Sequence, residues 1–158
     1  MNLLAGVLIF VACVYSGLGI DNYYKSKVTA LKEFLSFINF TLSEISFLKT
    51  NILELIKKYD RLYPSKLSKA LVTIENPVAV EAEEVNIYSL NEREKSLILC
   101  FIRDITRLNT AGHKAYIEDY KHKVNKITSE VQKQRDTKGN LAKKLAPLLG
   151  LGIMIVIM

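Results

Sequence analysis

Apolar positions follow two patterns along this chain. At the ends they form unbroken runs, residues 3–20 (LLAGVLIFVACVYSGLGI) and 145–158 (LAPLLGLGIMIVIM); between the runs they recur at helical spacing among charged residues. In the centre, Val28, Leu31, Leu35, Ile38, Leu42 and Ile45 step by three and four, which predicts one stripe of a long helix. Phe34 and Leu48 widen that stripe enough for bundle packing. A second stripe, Ile117, Tyr120, Val124, Ile127 and Val131, continues through Gln134 and Lys138 to Leu141 and Leu145. It predicts a helix that runs from the charged centre into the C-terminal apolar run, as the first helix runs out of the N-terminal one. Two such helices entering one bilayer are antiparallel neighbours there, a hairpin.

Shorter helices lie between the long ones. Asn51-x-x-Glu54 predicts a capped start for a helix with Ile52, Leu55, Ile56 and Tyr59 on one face. Pro64 stops it, and Ser65 caps a short helix carrying Leu67, Ala70, Leu71 and Ile74. Asn76-Pro77 reads as an N-cap with proline at the first helical position, opening a helix over residues 78–88. Asn91-x-x-Glu94 opens another, with Leu97, Ile98, Phe101, Ile102 and Ile105 inward. Leu108-Asn109-Thr110 marks the break before the last long helix, with Thr110 as its cap. Glycine is scarce at seven, and no alternating runs sit between turn pairs. The expected fold class is all-α: a bundle of about five helices between N- and C-terminal transmembrane segments. The expected segments are a first span at 1–22, a helical bundle at 23–141 and a second span at 142–158.

Charge turns the apolar ends into candidate anchors. Every Lys, Arg, Asp and Glu lies between Asp21 and Lys144. The first run, at a helical rise of about 1.5 Å per residue, covers roughly 27 Å of a hydrocarbon core about 30 Å thick. The second covers roughly 21 Å, and gains a further turn from Leu141 if Lys143 and Lys144 snorkel to the interface. Tyr23, Tyr24, Lys25 and Lys27 fall where interfacial aromatics and headgroup-facing cations belong, as do Lys143 and Lys144 at the second span. The first run has no positive n-region before it. Its Cys13 is preceded by Phe10-Val11-Ala12 and followed by apolar residues, unlike a lipoprotein site, so a retained anchor is expected. Lys25, Lys27 and Lys32 beside one run, and Lys133, Arg135, Lys138, Lys143 and Lys144 beside the other, all lie on the central side. The positive-inside rule then puts the bundle in the cytoplasm and both termini outside. These clusters account for much of the net charge of +6, which therefore does not argue for nucleic acid. Gly17, Gly19, Gly150 and Gly152 are candidate transmembrane packing residues, with Gly6 alongside them. They serve either the hairpin's own contact or a contact between copies in a homo-oligomer.

No catalytic, cofactor or metal site is expected. His113 and His122 stand nine residues apart on a polar helix, without the converging third and fourth ligands that zinc wants. There is no Walker loop, dinucleotide turn or nucleophile elbow. Cys100, inside LILCFI, reads as buried and inert, and with Cys13 in an apolar run the two cysteines form no disulfide framework. Glu83-Glu84 and Glu118-Asp119 are adjacent on helices, so each pair diverges. Around Lys121, His122, Lys123 and Lys126, the acids Glu118, Asp119 and Glu130 make a salt-bridged face rather than a phosphate site.

The layout resembles a known family. The N-terminal span closes with an aromatic-basic segment, and a long helix ends LSEISFLKTNILELI. Later come the helix SLNEREKSLILCFIRDI and a long helix entering KLAPLLGLGIMIVIM. Leu42-Ser43-Glu44-Ile45, the stretch 90–105 and the stretch 145–152 carry the likeness, which covers essentially the whole chain. In these features the sequence is similar to stage III sporulation protein AB of endospore-forming bacteria. That resemblance implies a cytoplasmic bundle like the domain of type II secretion F proteins, which are membrane platform components meeting a secretion-type ATPase. It implies as partners an ATPase of the same operon, other channel subunits and the bilayer, in an assembly linking mother cell to forespore. The competing reading of the residues alone is a coiled-coil membrane adaptor in cell division or signalling.

Overall fold

The computed structural model describes residues 2–45, 51–74, 89–107 and 113–157. All regular structure among them is helical: α1 (Asn2–Ile45), α2 (Ile52–Leu62), α3 (Lys66–Val72), α4 (Glu92–Arg107), α5 (His113–Gln134), a π turn (Arg135–Gly139) and α6 (Asn140–Ile157). The last three follow without a break, so the described chain forms five rods. The expected helix over 78–88, Leu48 and the Thr110 cap lie outside the described residues. Contacts divide the chain into two compact units, one of Met1–Val28 with Ser129–Met158, the other of Thr29–Thr128.

The unit of Thr29–Thr128 has an aromatic centre. Phe101 of α4 meets Phe34 and Phe37 of α1 edge-on, at centroid distances of 5.5 and 6.3 Å, and Tyr120 of α5 at 5.0 Å. Phe37 in turn contacts Tyr59 of α2 at 5.2 Å. All five rings are buried, with Leu31, Ile38, Leu55, Ile56, Ile98 and Ile102 completing the core. Each such side chain taken from water stabilises the fold by about 1.5–3 kcal/mol, and edge-to-face ring pairs add about 0.5–1.5 kcal/mol.

Local chemistry sets the short helices. Asn51 accepts the Leu53 N–H at 3.2 Å, a simple N-cap in place of the expected box with Glu54. At α4 the box is complete: Asn91 Oδ1 accepts from Glu94 N at 3.0 Å, and Asn91 N donates to Glu94 Oε2 at 3.1 Å. Ser65 caps α3 through Ser68 N, and the Ser68 hydroxyl accepts from Ser65 N while donating to Asp60 of α2 at 2.6 Å. The expected inner face of α2 is buried throughout, and that of α4 is buried except for half-buried Leu97.

Two stripes differ from expectation. On α1, Val28, Leu31, Phe34 and Ile38 are buried, but Leu35 and Leu42 are only half-buried, while Phe37 and Thr41 are fully covered. The buried arc is turned toward the aromatic side, because the rings of Phe34 and Phe37 fill the space around Phe101. Thr41 tolerates burial by donating its hydroxyl to Phe37 O at 2.9 Å. On the last rod, Ile117, Tyr120, Val124 and Val131 are buried and Ile127 half-buried, but Gln134, Lys138, Leu141 and Leu145 are exposed. Gln134 lies at the edge of the stripe before the turn, and for Lys138, Leu141 and Leu145 the π turn is the reason. Its wider coil takes up one residue more than an α-turn, so after Arg135 the inward face continues as Gly139, Ala142, Ala146, Gly150 and Met154.

Candidate functional site

The first unit is an antiparallel pair made by α1 and the rod of the π turn and α6. As α1 advances through Gly6, Phe10, Cys13, Gly17 and Asp21, its neighbours fall through Met154, Gly150, Ala146, Ala142 and Gly139. A methyl group placed on Gly17 would stand 2.6 Å from Ala146 Cβ and 3.0 Å from Ala142 O, both inside contact distance. One on Gly150 would stand 2.9 Å from Phe10 Cδ2 and 3.2 Å from Phe10 Cα. These glycines let two backbones approach closely, the arrangement by which apolar helices associate where no hydrophobic effect separates them from lipid. Gly6 does the same against Met154 at 3.2 Å. Gly19 and Gly152 have nothing within 4 Å and stand off this contact.

Where the apolar pair ends, a charged pair sits between the helices. Asp21 Oδ1 lies 3.7 Å from Arg135 Nε, with the two side chains 13% and 31% exposed. Gly139 makes room for it, since a Cβ there would be 3.2 Å from the same oxygen. Neither atom has a hydrogen-bond partner among the described residues. Apolar spacing does not reveal this pair: Arg135 continues the face of Ile117, Val124 and Val131 as a charged residue, and the π turn then brings Gly139 opposite Asp21.

Apolar side chains otherwise face outward on both helices. Val7, Leu8, Val11, Leu18 and Ile20 of α1, and Leu148, Leu149, Ile153, Ile155 and Val156 of α6, are exposed. Such a surface suits hydrocarbon and not water. Two helices, within Ala5–Glu44 and Lys114–Val156, are long and apolar enough to cross a membrane, which is compatible with a membrane protein. Pro147 sits inside α6 and withholds one hydrogen bond from the helix, as is tolerated in membrane helices.

The expected interface residues fall unevenly. Tyr23 is exposed and packs edge-on to half-buried Tyr24 at 5.6 Å. Lys25, Lys143 and Lys144 are exposed, but Lys27 is only 7% exposed, with its ammonium 6.0 Å from the Tyr23 ring.

In the other unit, polar groups near the core act as pins between helices. Tyr116 donates to Asp104 Oδ2 at 2.7 Å, Tyr120 to Leu97 O at 2.6 Å and Tyr59 to Glu33 O at 3.2 Å. Burial first, and then donation to the Asp104 carboxylate, holds the Tyr116 hydroxyl far above the ordinary tyrosine range. Burial also raises Tyr120 and Tyr59. These hydroxyls stay protonated donors. Cys100 is half-buried rather than fully buried, and receives Arg103 Nη2 at 3.3 Å. Asp119 pairs with Lys123 at 2.6 Å on an exposed face, and His122 is exposed. No three His, Cys, Asp or Glu side chains converge as metal ligands among the described residues.

No curated protein matches the chain, and no solved structure matches it. The family model for stage III sporulation protein AB matches residues 2–158. With an all-helical fold and two apolar rods at its ends, the chain belongs to the stage III sporulation protein AB family and is a sporulation protein.

Proposed function

We propose that the protein is a non-enzymatic membrane platform subunit of a secretion-like channel between mother cell and forespore, docking a secretion-type ATPase encoded in the same operon. The observation that carries this reading is membership of the family across residues 2–158. The two units suit it: a closely packed apolar helix pair for an anchor, and a separate helical unit with hydrogen-bonded tyrosine pins for a rigid docking body. On this reading 1–22 and 142–158 span the bilayer, 23–141 stands in the mother-cell cytoplasm, and both termini lie outside. Tyr23, Tyr24, Lys25, Lys27, Lys143 and Lys144 mark the cytoplasmic interface. Gly17 and Gly150 hold the hairpin together, while Gly19 and Gly152 remain open to a second copy of the chain.

Purified full-length chain in nanodiscs retains the operon's ATPase in a pull-down, and deletion of the gene blocks sporulation. A chain that is partnerless and monomeric in sporulating membranes would overturn the reading. Topology has its own test. Met158→Cys, in a background without other cysteines, reacts with an impermeant maleimide in intact cells; reaction only after permeabilisation removes the hairpin model.

A further inference from the structure

Outside the apolar helix pair, few large apolar side chains among the described residues are exposed. Among the described residues of Thr29–Thr128, the exposed ones are Leu62 and Tyr63, each 55% exposed, and Val72. All three lie on α2, α3 or the turn between them, and Leu62 and Tyr63 sit at its tip. The α2–α3 hairpin is also strongly basic, with Arg61, Lys66 and Lys69 nearest its tip. Lys57, Lys58, Arg61, Lys66 and Lys69 are exposed on the outer faces of the two helices, against the acids Glu54 and Asp60. Asp60 is turned in toward α3, where it accepts the Ser68 hydroxyl. Lys58 is engaged by Glu44 at 2.6 Å. Lys57, Arg61, Lys66 and Lys69 form no ion pair with an acid among the described residues.

The tip is held rigid. Tyr63 packs on Tyr59 at 5.4 Å and Phe40 at 6.4 Å, and the double Ser65–Ser68 cap fixes the start of α3 immediately after it. An exposed Leu-Tyr step between Arg61 and Lys66, on a scaffold that loses little entropy when bound, has the composition of a protein–protein hot spot: aromatic and arginine anchors in a charged rim. A bilayer is the poorer fit. Surface-lying helices insert a continuous apolar face, and that of α2, Ile52, Leu55, Ile56 and Tyr59, is already buried in the bundle.

We infer that the tip of the α2–α3 hairpin, Leu62 and Tyr63 flanked by the cations Arg61, Lys66 and Lys69, docks an acidic surface of a partner protein. The inference rests on the proposed function, with the ATPase as that partner. The cations steer encounter and fix register, while Leu62 and Tyr63 supply the desolvated centre.

The test is a titration of the full-length chain, in phosphatidylcholine nanodiscs, with purified operon ATPase at two salt concentrations. Arg61→Glu with Lys66→Glu, and separately Leu62→Ala with Tyr63→Ala, each weaken binding by about tenfold or more. The charge-reversed chain also loses most of the salt dependence seen for wild type. Lys123→Glu with Lys126→Glu on α5 binds as wild type does. Far-UV circular dichroism matching wild type at the titration temperature certifies folding of each variant. If wild type binds and both tip variants bind equally well, the tip assignment is wrong although the platform reading survives. If wild type does not bind, both fall. A spin label at Tyr63→Cys that becomes buried in phosphatidylglycerol nanodiscs without ATPase identifies the bilayer as occupant and also overturns the inference.

Discussion

In the unit of Thr29–Thr128, helices are spaced by rings: Phe101 alone touches Phe34, Phe37 and Tyr120. In the hairpin, the same kind of rod is brought close because side chains are missing, at Gly6, Gly17, Gly139 and Gly150. The difference follows from the surroundings that each surface suits. Where water lies outside, burying large apolar area drives association, so big residues serve best. Where hydrocarbon lies outside, that gain disappears and van der Waals contact over closely apposed backbones must replace it. A large-to-small change should therefore damage the bundle, and a small-to-large change should damage the hairpin.

The largest effect is expected from Phe101→Ala, which removes the ring at the centre of the aromatic cluster. It should cost about 3–5 kcal/mol, read as a lowered denaturation midpoint of the chain in detergent micelles. A loss below about 1 kcal/mol would mean that the rings do not organise this unit. The reciprocal change is Gly17→Leu. Its Cβ alone collides with Ala146 Cβ and with a backbone carbonyl that cannot swing away, so overpacking should cost up to about 3 kcal/mol. Gly19→Leu, two residues on and open to its surroundings, is the reference that should leave the pair intact. Förster transfer between dyes on α1 and α6 distinguishes them; equal loss from both would refute the assignment of Gly17 to the contact.

A smaller effect belongs to the tyrosine pins. Tyr116→Phe removes a hydrogen bond to a carboxylate and should cost about 1.5 kcal/mol. Its pH dependence gives the sign. The hydroxyl is held above its ordinary value of 10.0 in the folded chain. Its stabilisation is therefore complete below about pH 10 and is lost as pH rises beyond that, when the unfolded chain ionises first. Wild type should lose stability in that alkaline window, and Tyr116→Phe should lose less of it. Identical alkaline profiles would show that the pin does not act as a protonated donor.

Much of the bundle was legible because its signals are local. Asn51, Ser65 and Asn91 cap helices through groups within three residues of themselves, and the inner faces of α2 and α4 follow directly from spacing. The buried arc of α1 was less legible, since aliphatic spacing favours Leu35 and Leu42, whereas ring volume selects Phe37 and Thr41. The glycines show the same limit. Gly17 and Gly19 have nearly the same sequence context, and only the position of the second helix separates a contact residue from an open one. The α2–α3 tip carries no charge run on a single helix, because its cations are shared by two.

The π turn left no mark in the sequence at all, and it sets the register of the candidate site. A regular α-helix through Arg135–Gly139 would have carried the stripe from Val131 to Lys138, Leu141 and Leu145, setting a lysine and leucines against Gly17 and Asp21. With the turn, Gly139, Ala142, Ala146 and Gly150 face them instead. The turn therefore acts as a one-residue insertion that rotates α6 by about one residue's angle, roughly 100°. This gives a prediction of opposite character to the others: removing a residue should be tolerated. Deleting exposed Lys138 lets the segment close to an ordinary α-helix while Val131, Arg135, Gly139, Ala142, Ala146 and Gly150 keep one face. The stability change should stay below about 1 kcal/mol, and dye transfer between α1 and α6 should persist. Loss of the pair on deleting Lys138 would mean that the π geometry itself, and not merely the phase it confers, holds the small-residue face against α1.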